Sequence, residues 1–176
     1  NAPFEEPLVT NLIDNINESK SKINLEDNKI YSNDDFKISN LKDSMIICGQ
    51  LPPDENHDSI LLLSEFLNAP ILADPTSNIR YYKSHRNIIS NYNLFLDKTD
   101  LNPKTIIRFG RKPTSKLLCN LLKTHNNIIY IDKYQMFNDD TKNAIKSDIK
   151  HSVNHIIKNI EPITSNTNLT SLILLQ

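Results

Sequence analysis

The sequence predicts an α/β fold, an open and mostly parallel sheet of five or six strands with helices on both faces. Short apolar, often β-branched runs such as SMIIC at 44–48 and TIIRF at 105–109 are typical of strands buried on both faces. Segments with helical spacing of their apolar residues follow these runs. Because strands and helices alternate, ligands are expected beyond the carboxyl ends of the strands.

Apolar spacing and the residues that interrupt it define the predicted elements. Gly49 ends the first strand, and Ile60, Leu63 and Leu67 share a face of the helix that follows. The predicted strands lie at 44–48, 70–74, around Ile106, at 128–132 and, more weakly, at 148–152. The predicted helices lie at 10–19, 58–68, 87–96, 115–123 and 153–160.

Composition bounds the class of protein. A chain of 176 residues with 38% apolar content can bury one core. The 20 basic and 21 acidic residues give a net charge of −1, so bulk charge favours neither nucleic acid nor an anionic membrane as a partner. Cys48 and Cys119 lie in apolar runs, which favours reduced, buried thiols in a cytoplasmic protein.

Several kinds of chemistry are excluded by missing motifs. Only two glycines, Gly49 and Gly110, are present, so neither a GxGxxG dinucleotide loop nor a GxxxxGK phosphate loop exists. The GxSxG nucleophile motif is also missing. His151 and His155 have a metal-ligand spacing, but no nearby cysteine or carboxylate completes a set. We therefore predict no catalytic residue and no metal ligand in this chain.

Composition shifts along the chain predict its organisation. Residues 1–2 resemble a cloning remnant, and the polar segment 3–35 is interpreted as a linker from an upstream domain. The central α/β domain is predicted to span 36–162. Residues 163–176 are interpreted as a linker toward a downstream domain.

The junction at 105–116, TIIRFGRKPTSK, is the strongest candidate for a binding site. A buried strand is followed by a turn at Gly110, a restriction at Pro113 and a helix that Thr114 or Ser115 is expected to cap. Four cations surround this helix start: Arg108, Arg111, Lys112 and Lys116. Because helix N-termini attract anions, the junction predicts a site for a carboxylate or a phosphate.

Structural roles compete with these binding roles. Lys116 alone has the character of a solvated lysine, although a cation in the first helical turn is unfavourable unless an anion lies near. Arg108 is expected to pair with Asp132 or Asp74 at the sheet edge. Asp74 precedes the loop PTSNIR at 75–80 and Arg80 ends it, and internal stabilisation of the loop is their favoured role.

Two long motifs carry a resemblance to a known family. PILADPTSNIR at 70–80 and IIRFGRKPTSK at 106–116 occur in order, separated by one βα unit. ICGQL at 47–51 and PFEEPLV at 3–9 add to the likeness. Together they resemble the central domain of the MenD family, the thiamine-diphosphate-dependent SEPHCHC synthases of menaquinone biosynthesis.

This resemblance implies a Rossmann-like central domain flanked by pyrimidine-binding and diphosphate-binding domains, in a homodimer or homotetramer. The complete bacterial enzyme is implied to join 2-oxoglutarate, after decarboxylation, to isochorismate. Thiamine diphosphate and Mg²⁺ (or Mn²⁺) belong to the flanking domains by the same likeness. The fragment is accordingly expected to hold no cofactor, to lack activity alone and to act as a scaffold.

The resemblance also implies substrate-binding residues. The family's lysine in the SK pair helps to hold a carboxylate of isochorismate, and this position is Lys116 here. Ser115 and Arg108 are the two other predicted substrate-binding residues. Some members have an arginine after the lysine, whereas this chain has Leu117, and residues 137–140 depart from the family's WxDP sequence.

A second class of function stays open at this point. The chain is alternatively an allosteric or stand-alone domain that binds a small ligand, such as a dihydroxynaphthoate-like product of the pathway. Finding flanking domains with a GDG cofactor motif on either side of this chain would favour the synthase interpretation over this alternative.

Overall fold

The computed structural model describes residues 29–31, 38, 40–53, 56–99, 101–134, 143–168 and 172. The strands are β1 (Lys29–Tyr31), β2 (Ser44–Cys48), β3 (Ile71–Ala73), β4 (Ile88–Ile89), β5 (Thr105–Phe109), β6 (Ile128–Ile131) and β7 (Asn143–Ile145). The helices are α1 (His57–Phe66), α2 (Ile79–Tyr82), α3 (Lys116–Thr124) and α4 (Ile149–Asn159), with a 3-10 turn at Tyr92–Leu94. The predicted helix at 10–19 and the loop at 137–140 lie outside the described residues.

The strands form one sheet in the order β1-β7-β6-β5-β2-β3-β4. Every pairing among the described strands is parallel, and Ile46 of β2 lies between Ile71 of β3 and Ile107 of β5. The predicted parallel α/β fold is confirmed. Short strands at both edges, β1 and β4, bring the sheet to seven strands.

Helices cover both faces of the sheet, as the sequence predicts. On one face, alternate strand residues such as Ile46 and Phe109 pack with Ile60 of α1 and Val153 of α4. On the other face, Ile47, Ile106 and their neighbours pack with Leu118 of α3. Because successive strand residues point to opposite faces, both sides of the central strands are buried, which explains why their sequences are apolar throughout.

The helix predicted at 87–96 is wrong. Ile88 and Ile89 instead form β4, which pairs with Ile71 and Leu72 of β3, and a 3-10 turn follows. Adjacent isoleucines suit this edge strand because one packs into each core, Ile88 on the α1 side and Ile89 on the α3 side. The turn then directs Tyr92 and Phe95 into the same core as Ile89, which imitates helical spacing.

The strand predicted at 148–152 and the helix predicted to start at 153 are also wrong. Among the residues that the structure describes, the last strand is β7, at Asn143–Ile145, and α4 begins at Ile149. The Asp148 carboxylate accepts hydrogen bonds from the N–H groups of Lys150 and His151, so it caps the helix four residues earlier than predicted.

Residues assigned to linkers from sequence contribute to the sheet and its cover. Lys29–Tyr31, within the predicted upstream linker, form edge strand β1. In the predicted downstream linker, the Asn166 amide donates to the Ser44 carbonyl and the Asn168 amide donates to the Asp43 carbonyl, while Leu172 is buried beside the α3-side core. The domain boundary at 36–162 stays a prediction.

None of the described helices has the length and apolar character that crossing a membrane requires.

Both glycines of the chain lie where the loops after β2 and β5 meet. Gly49 follows β2, and a Cβ atom on it would lie 1.7 Å from the Arg111 carbonyl oxygen. Gly110 follows β5 with a positive φ of 73°, a conformation that glycine adopts without steric cost. The loop after β5 therefore passes directly over the end of β2, and only a residue without a side chain fits beneath it.

We expect Gly49→Ala to destabilise the chain by about 3 kcal/mol or more, because its methyl group would overlap backbone atoms that have little room to move. Urea unfolding monitored by circular dichroism measures this loss. Asn120→Ala, on the exposed side of α3, is the matched control and should change the free energy of unfolding by less than about 0.5 kcal/mol. Equal stability of the two variants would contradict this packing.

Both cysteines are free thiols, as predicted, but only Cys48 is buried, whereas the sequence predicted burial of both. Cys48 is fully buried in β2, where burial raises the pKa of its thiol; Cys119 is half-buried and donates to the Pro113 carbonyl at 3.2 Å. Because the thiolate is the reactive form, we expect iodoacetamide to modify Cys119 in the folded chain and Cys48 only after denaturation. Peptide mass spectrometry checks this order, and rapid modification of native Cys48 would contradict it.

Candidate functional site

Loops rich in polar residues extend from the carboxyl ends of β3 and β5. The first begins at Asp74 and the second at Gly110. β2 separates the two strands in the sheet, so these loops reach each other only by passing over Gly49. The candidate site is built where they meet.

The carboxylate of Asp74 joins the two loops. It is completely buried and accepts the backbone N–H groups of Thr114 at 2.9 Å and Ser115 at 3.0 Å through Oδ2. The Thr114 hydroxyl donates to the same carboxylate, at 3.0 Å from Oδ1. Within its own loop, Asp74 Oδ1 accepts the Thr76 hydroxyl at 2.7 Å and the Thr76 N–H at 3.1 Å. We call this set of contacts the Asp74 clamp.

The clamp keeps Asp74 ionised. Burial favours the neutral acid and by itself raises the pKa, but hydrogen bonds from Thr76, Ser115 and Thr114 stabilise the carboxylate more strongly and lower the pKa of Asp74 below its ordinary value of 3.8. A negative charge therefore lies against the start of α3, where the helix dipole stabilises it. The protein itself supplies an anion at the position where the sequence predicted a ligand.

Ser115 and Lys116 lie at the start of α3. Ser115 is the N-cap, and its hydroxyl accepts the Leu118 N–H at a long 3.5 Å and donates to Asn93 Oδ1 at 3.0 Å. Lys116 is the first residue of the helix, and its side chain is exposed. The structure thus brings Ser115 and Lys116 together at the carboxyl edge, with the ammonium directed to solvent.

Arg108 occupies a different environment. It lies between Ile47 and Tyr130 across the sheet, is only 2% exposed, and its guanidinium carbon lies 3.9 Å from the centre of the Tyr130 ring. The Tyr130 hydroxyl donates to Asp132, so Arg108 is linked to this carboxylate through the stacked ring. The ring contact gives Arg108 a structural role, whereas its predicted pairing with Asp132 or Asp74 and its substrate role both stay predictions.

The loop after β3 is stabilised internally. The Ser77 hydroxyl donates to the Asp74 carbonyl at 2.7 Å, and Arg80 donates to the Ala73 carbonyl at 3.5 Å. Asn78 has a positive φ of 42° and its amide donates to the Leu51 carbonyl at 2.6 Å. The loops that follow β2, β3 and β5 are consequently tied to one another by side-chain contacts.

A cavity of about 350 Å³ lies beside this junction, between the loops after β2, β3, β5 and β6. Its lining includes Gln50, Leu51, Gly110, Arg111, Asp132 and Tyr134. β2 and β5 are the neighbours at which the strand order reverses, the usual place for a ligand in an open parallel sheet. The three predicted substrate-binding residues, Arg108, Ser115 and Lys116, are not among the described residues that line this cavity.

The described residues contain no group of three or more His, Cys, Asp and Glu side chains arranged to hold a metal ion. His151 and His155 both lie on α4. The donor set of the described part of the chain therefore does not fit a bound Mg²⁺ or Mn²⁺.

The clamp is the feature that sequence reasoning missed. Thr114 and Asp74 are 40 positions apart, and each has an adequate local role, as a capping residue and as a turn residue. One signal was available: polar residues follow two strands at the same edge, where parallel strand ends meet. The missing information was that the loops cross over an intervening strand.

The strand order, the doubly covered parallel sheet and the polar loops at its carboxyl edge define a Rossmann-like α/β domain. No protein-family model matches the chain. The chain is 32% identical to a synthase from Bacillus pumilus over 177 residues, which covers 89% of the chain and 30% of that protein. It is 37% identical to one from Desulfitobacterium hafniense over 111 residues, 60% of the chain and 20% of that protein.

A third relative, from Lactococcus lactis subsp. cremoris, is 33% identical over 137 residues, or 74% of the chain and 24% of that protein. All three carry the name 2-succinyl-5-enolpyruvyl-6-hydroxy-3-cyclohexene-1-carboxylate synthase. The predicted resemblance to the MenD family is confirmed. The chain spans less than a third of the length of these curated relatives, and they give no support to the alternative of a stand-alone ligand-binding domain.

The lowered pKa of Asp74 predicts a pH-dependent contribution to stability. A carboxyl group with a lowered pKa in the folded state stabilises fully above its unfolded pKa, and this contribution is lost as the pH falls through the folded pKa. We expect Asp74→Asn to cost about 1–3 kcal/mol at pH 7. The difference in the free energy of unfolding between this variant and the unmodified chain should shrink progressively below pH 3.8, the ordinary pKa of an aspartic acid.

Urea unfolding of both chains from pH 7 into strong acid measures this difference. The contributions of the other carboxyl groups are the same in both chains and cancel. Asp97→Asn, an exposed position on the surface, is the control and should have little effect at any pH. A difference for Asp74→Asn that is the same at pH 7 and in strong acid would contradict a buried, ionised carboxylate.

Proposed function

We propose that this chain is the central domain of a SEPHCHC synthase, the transferase that joins decarboxylated 2-oxoglutarate to isochorismate in menaquinone biosynthesis. The observation that carries the proposal is the similarity to synthases of this name across 89% of the chain. The Rossmann-like fold and the exposed lysine at the start of α3 agree with it. Alone, the chain would act as a scaffold without activity.

Lys116 is the residue of this domain that we propose to contact the substrate. Its ammonium would form a charge-assisted hydrogen bond to a carboxylate of isochorismate, with Ser115 beside it. Leu117 follows the lysine, so this part of the helix offers one cation rather than two. Arg108 would contribute mainly by stacking on Tyr130, which stiffens the sheet beneath the site.

Thiamine diphosphate and Mg²⁺ (or Mn²⁺) would be held by flanking pyrimidine-binding and diphosphate-binding domains. The described residues lack a metal-ligating cluster and the chain lacks a glycine-rich phosphate loop, so the cofactor does not fit this domain. When bound elsewhere, it supplies the decarboxylation and the carbon–carbon bond formation. The complete enzyme would be a cytoplasmic homodimer or homotetramer.

In the complete synthase, we expect Lys116→Ala to lower kcat/KM for isochorismate roughly tenfold to a hundredfold, because a charge-assisted hydrogen bond contributes about 1.5–3 kcal/mol. The constant for 2-oxoglutarate should change far less, since that substrate reacts first and lies deeper against the cofactor in the resembled family. Steady-state kinetics with each substrate varied in turn measures both constants.

Lys123→Ala is the matched control, because this exposed lysine lies at the opposite end of the same helix. It should leave both constants unchanged. Unchanged isochorismate kinetics in Lys116→Ala would mean that Lys116 is a surface cation and that the domain is scaffold alone.

A further inference from the structure

The start of α3 is held differently from the starts of α1 and α4. In α4, Asp148 caps from within the segment, two and three positions before the N–H groups it accepts. In α1, Asn56 caps the N–H group of Ser59 in the same local way. In α3, the local cap Ser115 makes only a 3.5 Å contact, whereas the distant Asp74 accepts two backbone N–H groups at 2.9 and 3.0 Å.

The position of α3 relative to the sheet consequently depends on Asp74. The backbone from Gly110 to Pro113 passes over Gly49, and the next two residues are bonded to the carboxylate at the end of β3. Thr114 is bonded through both its N–H group and its hydroxyl, which restrains its backbone and side chain together. The point at which the helix begins is therefore set by the clamp.

Lys116 follows the clamped residues Thr114 and Ser115 directly in the chain. The Ser115 N–H group that donates to Asp74 is one residue before Lys116, so any shift of the clamp moves the Cα–Cβ direction from which the ammonium extends. Active sites are sensitive to such shifts, and a displacement of about 1 Å is associated with rate losses near a hundredfold.

We propose that Asp74 is a positioning residue for the second substrate of the synthase, and that it acts by fixing the start of α3 so that Lys116 reaches the isochorismate carboxylate. This proposal rests on the proposed function. Asp74 itself is completely buried and bonded to protein groups, so it contacts no substrate. Its effect passes through the backbone of Thr114 and Ser115.

The kinetic result expected if Asp74 only stabilises the fold differs from the result expected if it positions Lys116. Loss of folded enzyme lowers kcat/KM for both substrates in the same proportion. Misplacement of Lys116 lowers kcat/KM for isochorismate selectively and leaves the constant for 2-oxoglutarate nearly unchanged. The ratio of the two constants therefore separates the two roles.

The test is Asp74→Asn in the complete, cofactor-loaded synthase, since asparagine keeps the shape but replaces one acceptor oxygen with a donor. We expect kcat/KM for isochorismate to fall about tenfold and the 2-oxoglutarate constant to change less than about twofold. Thr114→Val, which removes only the hydroxyl donor, should give the same selectivity at smaller magnitude and serves if Asp74→Asn does not fold. Asp148→Asn, at the cap of α4, is the control that should leave the ratio of constants unchanged.

A double-mutant cycle with Lys116→Ala shows whether Asp74 acts through the lysine. If it does, Asp74→Asn should reduce the isochorismate constant less than about twofold once Lys116 is removed, because the two changes affect one interaction. Fully multiplicative effects of the two substitutions would overturn the proposal. So would equal losses for both substrates.

Hydrogen exchange of the peptide covering residues 110–118 in the same enzyme gives a readout that is independent of activity. Asp74→Asn should speed exchange there, whereas Asp148→Asn should not. If Lys116→Ala weakens the isochorismate kinetics but Asp74→Asn leaves them unchanged, only the positioning role is overturned. If Lys116→Ala leaves the isochorismate kinetics unchanged, the proposed substrate contact is overturned and the positioning role with it. Faster exchange in Asp74→Asn would then mean only that Asp74 holds the loop in the unmodified enzyme.

Discussion

One buried carboxylate organises the carboxyl edge of this domain. Asp74 accepts hydrogen bonds from its own loop and from the residues that begin α3, across the end of the strand that separates them. A buried charge is stable only when it is well hydrogen-bonded, and here backbone N–H groups and hydroxyls meet that requirement. The loops after β3 and β5 are therefore not independent connections but one structure joined by a single side chain.

The clamp is possible because a side chain is missing beneath it. Gly49 ends β2, and the Arg111 carbonyl lies where a Cβ atom would be. With any other residue the loop after β5 would have to rise, and Thr114 would no longer reach Asp74. The scarcity of glycine in the chain thus has a structural meaning, because both glycines serve this one crossing.

The strands of the sheet centre were predictable because their burial on both faces leaves continuous runs of isoleucine and other apolar residues. The errors at 87–96 and 148–160 arose where local patterns were ambiguous: Ile88, Ile89, Tyr92 and Phe95 fit helical spacing while serving a strand and a turn. The cap at Asp148 was readable but was assigned to a strand. At the site, Ser115 was correctly expected to cap the helix, whereas the contact from Asp74 depends on tertiary structure and has no local pattern.

The clamp also changes the meaning of the cation at the start of α3. A helix N-terminus attracts an anion, and Asp74 supplies one there, since it accepts the N–H group of the N-cap Ser115 and that of Thr114 before it. Beside the clamp lies the exposed ammonium of Lys116, a point charge on a flexible stem that is followed by Leu117 rather than by an arginine. Such a group binds well only if its backbone is fixed in advance, since ordering it on binding costs entropy. The rigid crossing over Gly49 and the carboxylate of Asp74 provide that fixed backbone, which is why a buried residue far along the chain matters to an exposed one.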